Sequence, residues 1–314
     1  MKTPAAPVLW MVALAGLGRP GLRANDRVIT RDFAVGEAPR LTLHAYRGAV
    51  RVTAADTQAI HVEAHVSTGP LDDAGFERAL QQFHFQARSD GRHVDLVAAG
   101  PRVQFMWEEK SDLQILYQIV VPRHCAVDVE NESGSVNVGD LDASVTVHTR
   151  RGTVYLKHIA GDVDASTTAT SLVVSRCGGS ARLHNQSGDI RIGPVAGTLV
   201  ATTVSGDIDV QIAGGAATLS ANSGDISLGL PKQVGGPVSA RTQSGQILLR
   251  LNPAARCTLD AASVWGHVRF ADLPLQVVAG GNNRGRLEAT LNGGGPRVIL
   301  HADGGHVDIK PSRT

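Results

Sequence analysis

The chain has 314 residues, with 35 glycines and only three Trp, three Tyr and six Phe, too little aromatic bulk for an ordinary globular core. Thirty basic residues balance 29 acidic ones. That balance leaves no basic stripe to neutralise phosphates, so nucleic acid is not an expected partner.

The N-terminus reads as an export signal spanning residues 1–24. Lys2 precedes the apolar run Val8 to Leu17. That run is shorter than the roughly 20 residues a bilayer span requires. Pro20-Gly21 then breaks it, and Ala24 supplies a small residue for cleavage before Asn25. The mature chain is expected to lack a transmembrane segment, and to be periplasmic or on the cell surface.

Residues 25–123 are expected to form irregular coils and a cap. Leu41-Thr42-Leu43, Val50-Arg51-Val52 and Ile60-His61-Val62 alternate apolar with polar residues, as early coils would. Phe76, Ala79, Leu80 and Phe83 fall at helical spacing and predict one short helix over the end of the stack. Leu113 to Val121 predicts a strong strand leading into the first regular coil.

From residue 124 to 314 the sequence predicts a regular solenoid. Ser-Gly-Asp-Ile recurs at Ser187-Gly188-Asp189, Ser205-Gly206-Asp207 and Ser223-Gly224-Asp225, each followed by Ile, at a spacing of 18 residues. The same step places Gly134 and Gly152 in the column, but at Thr170 the glycine is lost. Looser copies follow at Gly245, Gly266 and Gly305, with Trp265 in place of the usual serine at the second.

Apolar pairs lie two and four residues after each glycine, as in Ile190/Ile192 and Ile208/Val210. A second set lies 11 and 13 residues after it, as in Val145/Val147 and Leu199/Ala201. Period-two alternation means strands with one buried face. Identical steps oblige equivalent strands to pair in parallel, one coil apart. The expectation is therefore an all-β, single-stranded parallel β-solenoid (a β-helix), with two short strands per 18-residue coil and an N-terminal cap containing one short helix.

These features, together with the strand ending Ile119-Val120-Val121-Pro122, resemble the bacterial "putative adhesin" β-solenoid family of unknown function. The resemblance covers roughly Leu41 to Ile309 and implies an exported, envelope-associated solenoid. It carries no catalytic residues over to this chain. Thr170-Ser171 and Trp265-Gly266 depart from the repeated motif.

The serine and aspartate columns read as turn chemistry, with Asp and Ser bonding their own backbone, in preference to a cation ladder. Thr149, Thr167, Asn185 and Thr203 read as a polar ladder at a strand end. Twelve histidines show no metal-ligand spacing; His44, His61 and His65 read as a solvated face. Nothing resembles a nucleophile elbow or a phosphate loop, and no catalytic residue, cofactor or metal is expected. Cys125, Cys177 and Cys257 lie too many coils apart for a disulfide, and Cys177 shares a core column with Leu141, Ile159, Val195 and Ala213.

The expected function is that of a non-enzymatic envelope protein, a binding, adhesin-like or scaffolding solenoid whose partner is an envelope protein or polysaccharide. The alternatives are a polysaccharide-active β-helix enzyme and a stress-response accessory protein without a ligand of its own.

Overall fold

The computed structural model describes residues 26–68, 73–100 and 113–312. The expected export signal lies outside them. No helix among the described residues is long and apolar enough to cross a membrane.

Two long sheets of 13 and 14 strands enclose a narrow apolar core. The N-terminal portion contains β1 (Asp26–Ala34), β2 (Arg40–Ala45), β3 (Ala49–Ala55), β4 (Ala59–Thr68), α1 (Asp73–Gln81), β5 (His84–Ser89), β6 (His93–Ala99) and β7 (Leu113–Pro122). Next come β8 (Ala126–Ser133), β9 (Val136–Gly139), β10 (Val145–Arg151), β11 (Val154–Ile159), β12 (Val163–Ala169), β13 (Leu172–Cys177) and β14 (Ala181–Ser187). The central run continues through β15 (Ile190–Val195), β16 (Leu199–Ser205), β17 (Ile208–Ala213), β18 (Ala217–Ser223), β19 (Ile226–Leu230), β20 (Val238–Ser244) and β21 (Ile247–Leu251). The C-terminal end is built from β22 (Cys257–Ser263), β23 (Val268–Phe270), β24 (Leu275–Gly280), β25 (Arg286–Leu291), β26 (Arg297–Ala302) and β27 (Val307–Pro311).

Through the centre, pairing follows the sequence step. Val145 pairs with Val163, Val163 with Ala181 and Ala181 with Leu199, all in parallel. On the other sheet Leu172 pairs with Ile190 and Ile190 with Ile208. The apolar pairs named from the alternation are buried, Ile208 and Ala201 completely so. Turns are tight because a glycine column stacks backbone on backbone. Gly206 holds φ +138°, and a Cβ there would overlap the carbonyl of Gly188. Thr170 keeps the column's geometry at φ +101° without being glycine.

Both ends depart from chain order. The coil β2–β3 lies between β6–β7 and β8–β9: Leu41 pairs with both Val94 and Val127, and Val52 with both Ile119 and Val138. Leu113 to Val121 therefore precedes the first regular coil in sequence but packs one coil away from it. The opposite end repeats this exchange. The last coil, β26–β27, inserts between β20–β21 and β22–β23, with Val298 pairing with Val238 and Leu259.

Ile60-His61-Val62 is not an early coil. It lies in β4, which is antiparallel to both β1 and β7, and β1 outside it closes the edge of the first sheet. Antiparallel β5 flanks β6 on the second sheet. The predicted helix is present as α1, joining β4 of the first sheet to the β5 edge of the second; its Phe76 and Ala79, with Phe83 just beyond its end, are buried in the common core. At the other end the antiparallel pair β25 and β24 extends the second sheet beyond β22. Bare parallel edges are thereby covered by antiparallel strands at the N-terminal end of both sheets and the C-terminal end of the second.

Candidate functional site

Three features of the exposed and turn surfaces carry chemistry, and the Ser-Gly-Asp turns come first. Gly188, Gly206 and Gly224 hold φ values of +130°, +138° and +146°. The carboxylates do not bond their own turns; they reach the next coil. Asp189 Oδ1 accepts from the amide of Asp207 at 3.2 Å, Asp207 Oδ1 from Asp225 at 2.8 Å, and Asp225 Oδ1 from Gln246 at 2.7 Å. Arg191 donates to the second oxygen of Asp189 at 2.8 Å. Ser187, Ser205 and Ser223 pair in register, and the carbonyls of Ser205 and Ser223 accept from the amides of Gly188 and Gly206. Each aspartate thus spends one oxygen on an inter-coil bond. Among the described residues no group of three His, Cys, Asp or Glu side chains is placed to hold a metal ion.

The polar column inside the turns belongs to the same scaffold. Asn131, Thr149, Thr167, Asn185, Thr203 and Thr242 are buried in the core, where the sequence indicated only a strand-end ladder. Asn131 Nδ2 donates to the turn carbonyls of Gly48 and Gly134, and Asn185 Nδ2 to that of Thr170 at 2.7 Å. Thr242 Oγ1 donates to Gly224 at 2.9 Å. These bonds satisfy carbonyls that the left-handed turn residues withdraw from the ladder. The hydroxyl of Thr149 has no partner among the described residues.

The second feature is a polar row on the outer face of the 14-stranded sheet. Pairing places His44, Glu130, His148, Ser166, His184 and Thr202 side by side across successive strands. His44 Nδ1 lies 2.9 Å from Glu130, His148 Nδ1 2.7 Å from Ser166 Oγ, and His184 Nδ1 2.8 Å from Thr202 Oγ1. The row runs into an open groove of about 1010 Å³, whose walls include Tyr46, Glu132, Arg150 and Arg151. Donors and acceptors repeat there at about the 4.8 Å strand spacing, a period suited to an extended polar chain lying along the face. Sequence reading grouped His44 with His61 and His65, which lie on the other sheet. His148 and His184 escaped notice because the row emerges only when residues 18 apart are stacked.

The third is the outer face of β1 and β4. His61 lies 2.6 Å from Asp32 and 3.2 Å from Glu63, which in turn lies 3.3 Å from His65. The bond to Asp32, followed by that to Glu63, raises the pKa of His61. The bond from His61 in turn lowers that of Glu63. His61 and His65 do face outward among polar neighbours, as the alternation indicated.

The three cysteines are free and buried. Burial pushes the Cys125 thiol up to about 12 and that of Cys257 up to about 11, and it raises that of Cys177. Cys177 pairs in register with Ile159 and Val195, in the core column read from sequence. Insertion of β26–β27 sets Cys257 one coil further from Cys177 than chain order indicates.

No curated protein matches the chain. Solved structures similar to it include a "putative cell adhesion protein" from Clostridium sporogenes ATCC 15579, at 10% identity and a TM-score of 0.25, covering 92% of this chain and 99% of that one. A "putative adhesin" from Bacteroides fragilis NCTC 9343 shares 13% identity at a TM-score of 0.38, covering 91% and 97%. Another "putative adhesin", from Parabacteroides merdae ATCC 43184, shares 9% identity at a TM-score of 0.40, with the same coverage. Likeness at these levels carries no functional argument. The family comparison is decisive, because the profile described as Toastrack DUF4097 matches residues 39–310, most of the chain. The chain belongs to the Toastrack DUF4097 family, a β-solenoid family of unknown function.

Proposed function

We propose that this is an exported, non-enzymatic envelope protein that binds an extended polar polymer, polysaccharide or protein, along the outer face of its 14-stranded sheet. Residues 1–24 are its export signal, 25–123 the irregular coils and cap, and 124–314 the regular solenoid. Each 18-residue coil contributes one strand to each sheet, so outward side chains repeat at the strand spacing. The Ser-Gly-Asp turns serve as scaffold.

The observation that carries this reading is the groove beside His44, Glu130 and His148. Its polar groups are exposed, are spaced by one coil and already pair with one another. Such an arrangement favours a ligand that exchanges hydrogen bonds over one that undergoes chemistry.

The test immobilises the purified chain and presents fractionated envelope polysaccharides and envelope proteins. Binding should weaken at least about tenfold in Arg150→Ser/Arg151→Ser, with unchanged melting. Retention unaffected by that variant would exclude the groove. Turnover of a polysaccharide would overturn the non-enzymatic reading. Cell fractionation with N-terminal sequencing of the mature chain tests export and the cleavage site together.

A further inference from the structure

The opposite sheet carries a second concavity, of about 770 Å³, on the outer face of β19, β21 and β27. It arises from an insertion. Asp225 and Gln246 are bonded neighbours across coils yet 21 residues apart, where earlier equivalents are 18 apart. The longer connection puts Pro231 and Lys232 on the rim. The far rim is the C-terminal segment Lys310-Pro311-Ser312, fastened by the Ser312 amide donating to the carbonyl of Leu251 at 2.7 Å.

The floor is aliphatic. Ile212 is 38% exposed, Leu248 half-buried and Leu230 buried beneath them. Gly229 keeps the floor open: it pairs with Arg250, and a Cβ on it would overlap the carbonyl of Gln211. No side chain can fill that gap without moving backbone.

The rim is cationic. Arg250 and Lys310 are register partners on adjacent strands. Arg250 donates to Ser227 Oγ at 2.7 Å and lies 3.8 Å from Asp209, while Lys310 lies 3.9 Å from Asp308. Lys232 is exposed and has no ion pair among the described residues. Three cations thus surround an apolar floor whose only acidic lining residue, among the described residues, is Asp209. The cations are confined to three coils, too short a track for a polyanion.

We propose that this basin binds a small anionic amphiphile, a carboxylate or phosphate head on a single aliphatic chain. The head would sit between Lys232 and Lys310, and the chain over Ile212 and Leu248. A volume of this size lies within the range of small-molecule pockets, and an apolar bed with a few convergent charges is their usual composition. The proposal concerns the sheet opposite the polymer groove and stands independently of that reading.

The test is calorimetric titration of the full mature chain with decanoate and with decyl phosphate, each below its micelle concentration. Acetate and decyl maltoside serve as controls. Saturable one-to-one binding of either anionic probe is expected, and a preference between them identifies the head. Lys232→Gln should weaken binding about tenfold, as should Ile212→Ser through loss of floor contact, with melting temperatures unchanged in both. Three results would overturn the proposal: no saturable binding of either probe, equal binding of decyl maltoside, or full affinity retained in both variants.

Discussion

Thr170 is the one position in the central turn column where a β-branched residue holds a left-handed backbone, at φ +101°, between Gly152 and Gly188 at +155° and +130°. A non-glycine residue in such a conformation stores about 1–3 kcal/mol. Thr170→Gly releases that strain. Its side chain is exposed, so little packing is lost. The bonds at this position are made by backbone: its amide donates to the carbonyl of Ser187 at 2.9 Å, and its carbonyl accepts from Asn185 at 2.7 Å. Both survive the change. Against the gain stands the added freedom of glycine in the unfolded chain, about 0.5–1 kcal/mol. The net expectation is stabilisation by up to about 2.5 kcal/mol, or a rise of up to about 5 °C in melting temperature for a chain of this size. Thermal unfolding followed by far-UV circular dichroism measures it. The reciprocal variant, Gly206→Thr, introduces both the strained conformation and an overlap with the Gly188 carbonyl, and should melt far lower. A Thr170→Gly chain that melts below the parent temperature would refute the idea that backbone conformation is what selects glycine in this column.

Ile208→Asp buries a carboxylate in a fully enclosed position and should cost several kcal/mol, whereas Asp207→Asn keeps an acceptor for the Asp225 amide and should melt within a degree or two of the parent; equal effects would invert the inward and outward faces. Asp207→Ala removes that acceptor and should cost about 1 kcal/mol, and calcium should not raise the melting temperature of the parent chain. A calcium-dependent rise abolished by Asp207→Asn would make the column a cation site. The His61 and Glu63 pair should stabilise most between the ordinary carboxylate value of 4.5 and the ordinary imidazole value of 6.5. The raised His61 contribution is complete below 6.5 and is lost as pH rises through its folded value; that of Glu63 is complete above 4.5 and is lost as pH falls through its lowered value. His61→Gln should flatten the melting-temperature profile across that window. The three buried thiols should resist a thiol-reactive dye at pH 8 and react together on unfolding, and rapid labelling of the folded chain would contradict their placement.

What could be read from the sequence is what repeats locally. Alternation with period two dictates which side chains of a strand face the core, because successive residues point to opposite faces. Ile190, Ile208 and Ile226 were therefore placed inside from pattern alone, and the glycine column followed from turn geometry. The short helix was legible for the same reason, since Phe76 and Ala79 mark its buried face, although Phe83, read as part of that face, falls just past the helix end.

Which coil lies beside which was decided only by the tertiary structure. Leu41/Leu43 and Val127/Val129 present the same kind of apolar pair, so nothing local says that β2 must slip between β6 and β8, or β26 between β20 and β22. The antiparallel course of β4 is equally silent in its composition, because an alternating strand buries the same face in either direction. The candidate sites share this origin. The row from His44 to Thr202 and the basin between Lys232 and Lys310 join residues that are far apart in sequence and adjacent only after stacking. Sequence specifies each strand's inward face through the pleat, whereas the outward surfaces are sums over neighbouring coils and exist only once the stacking order is set.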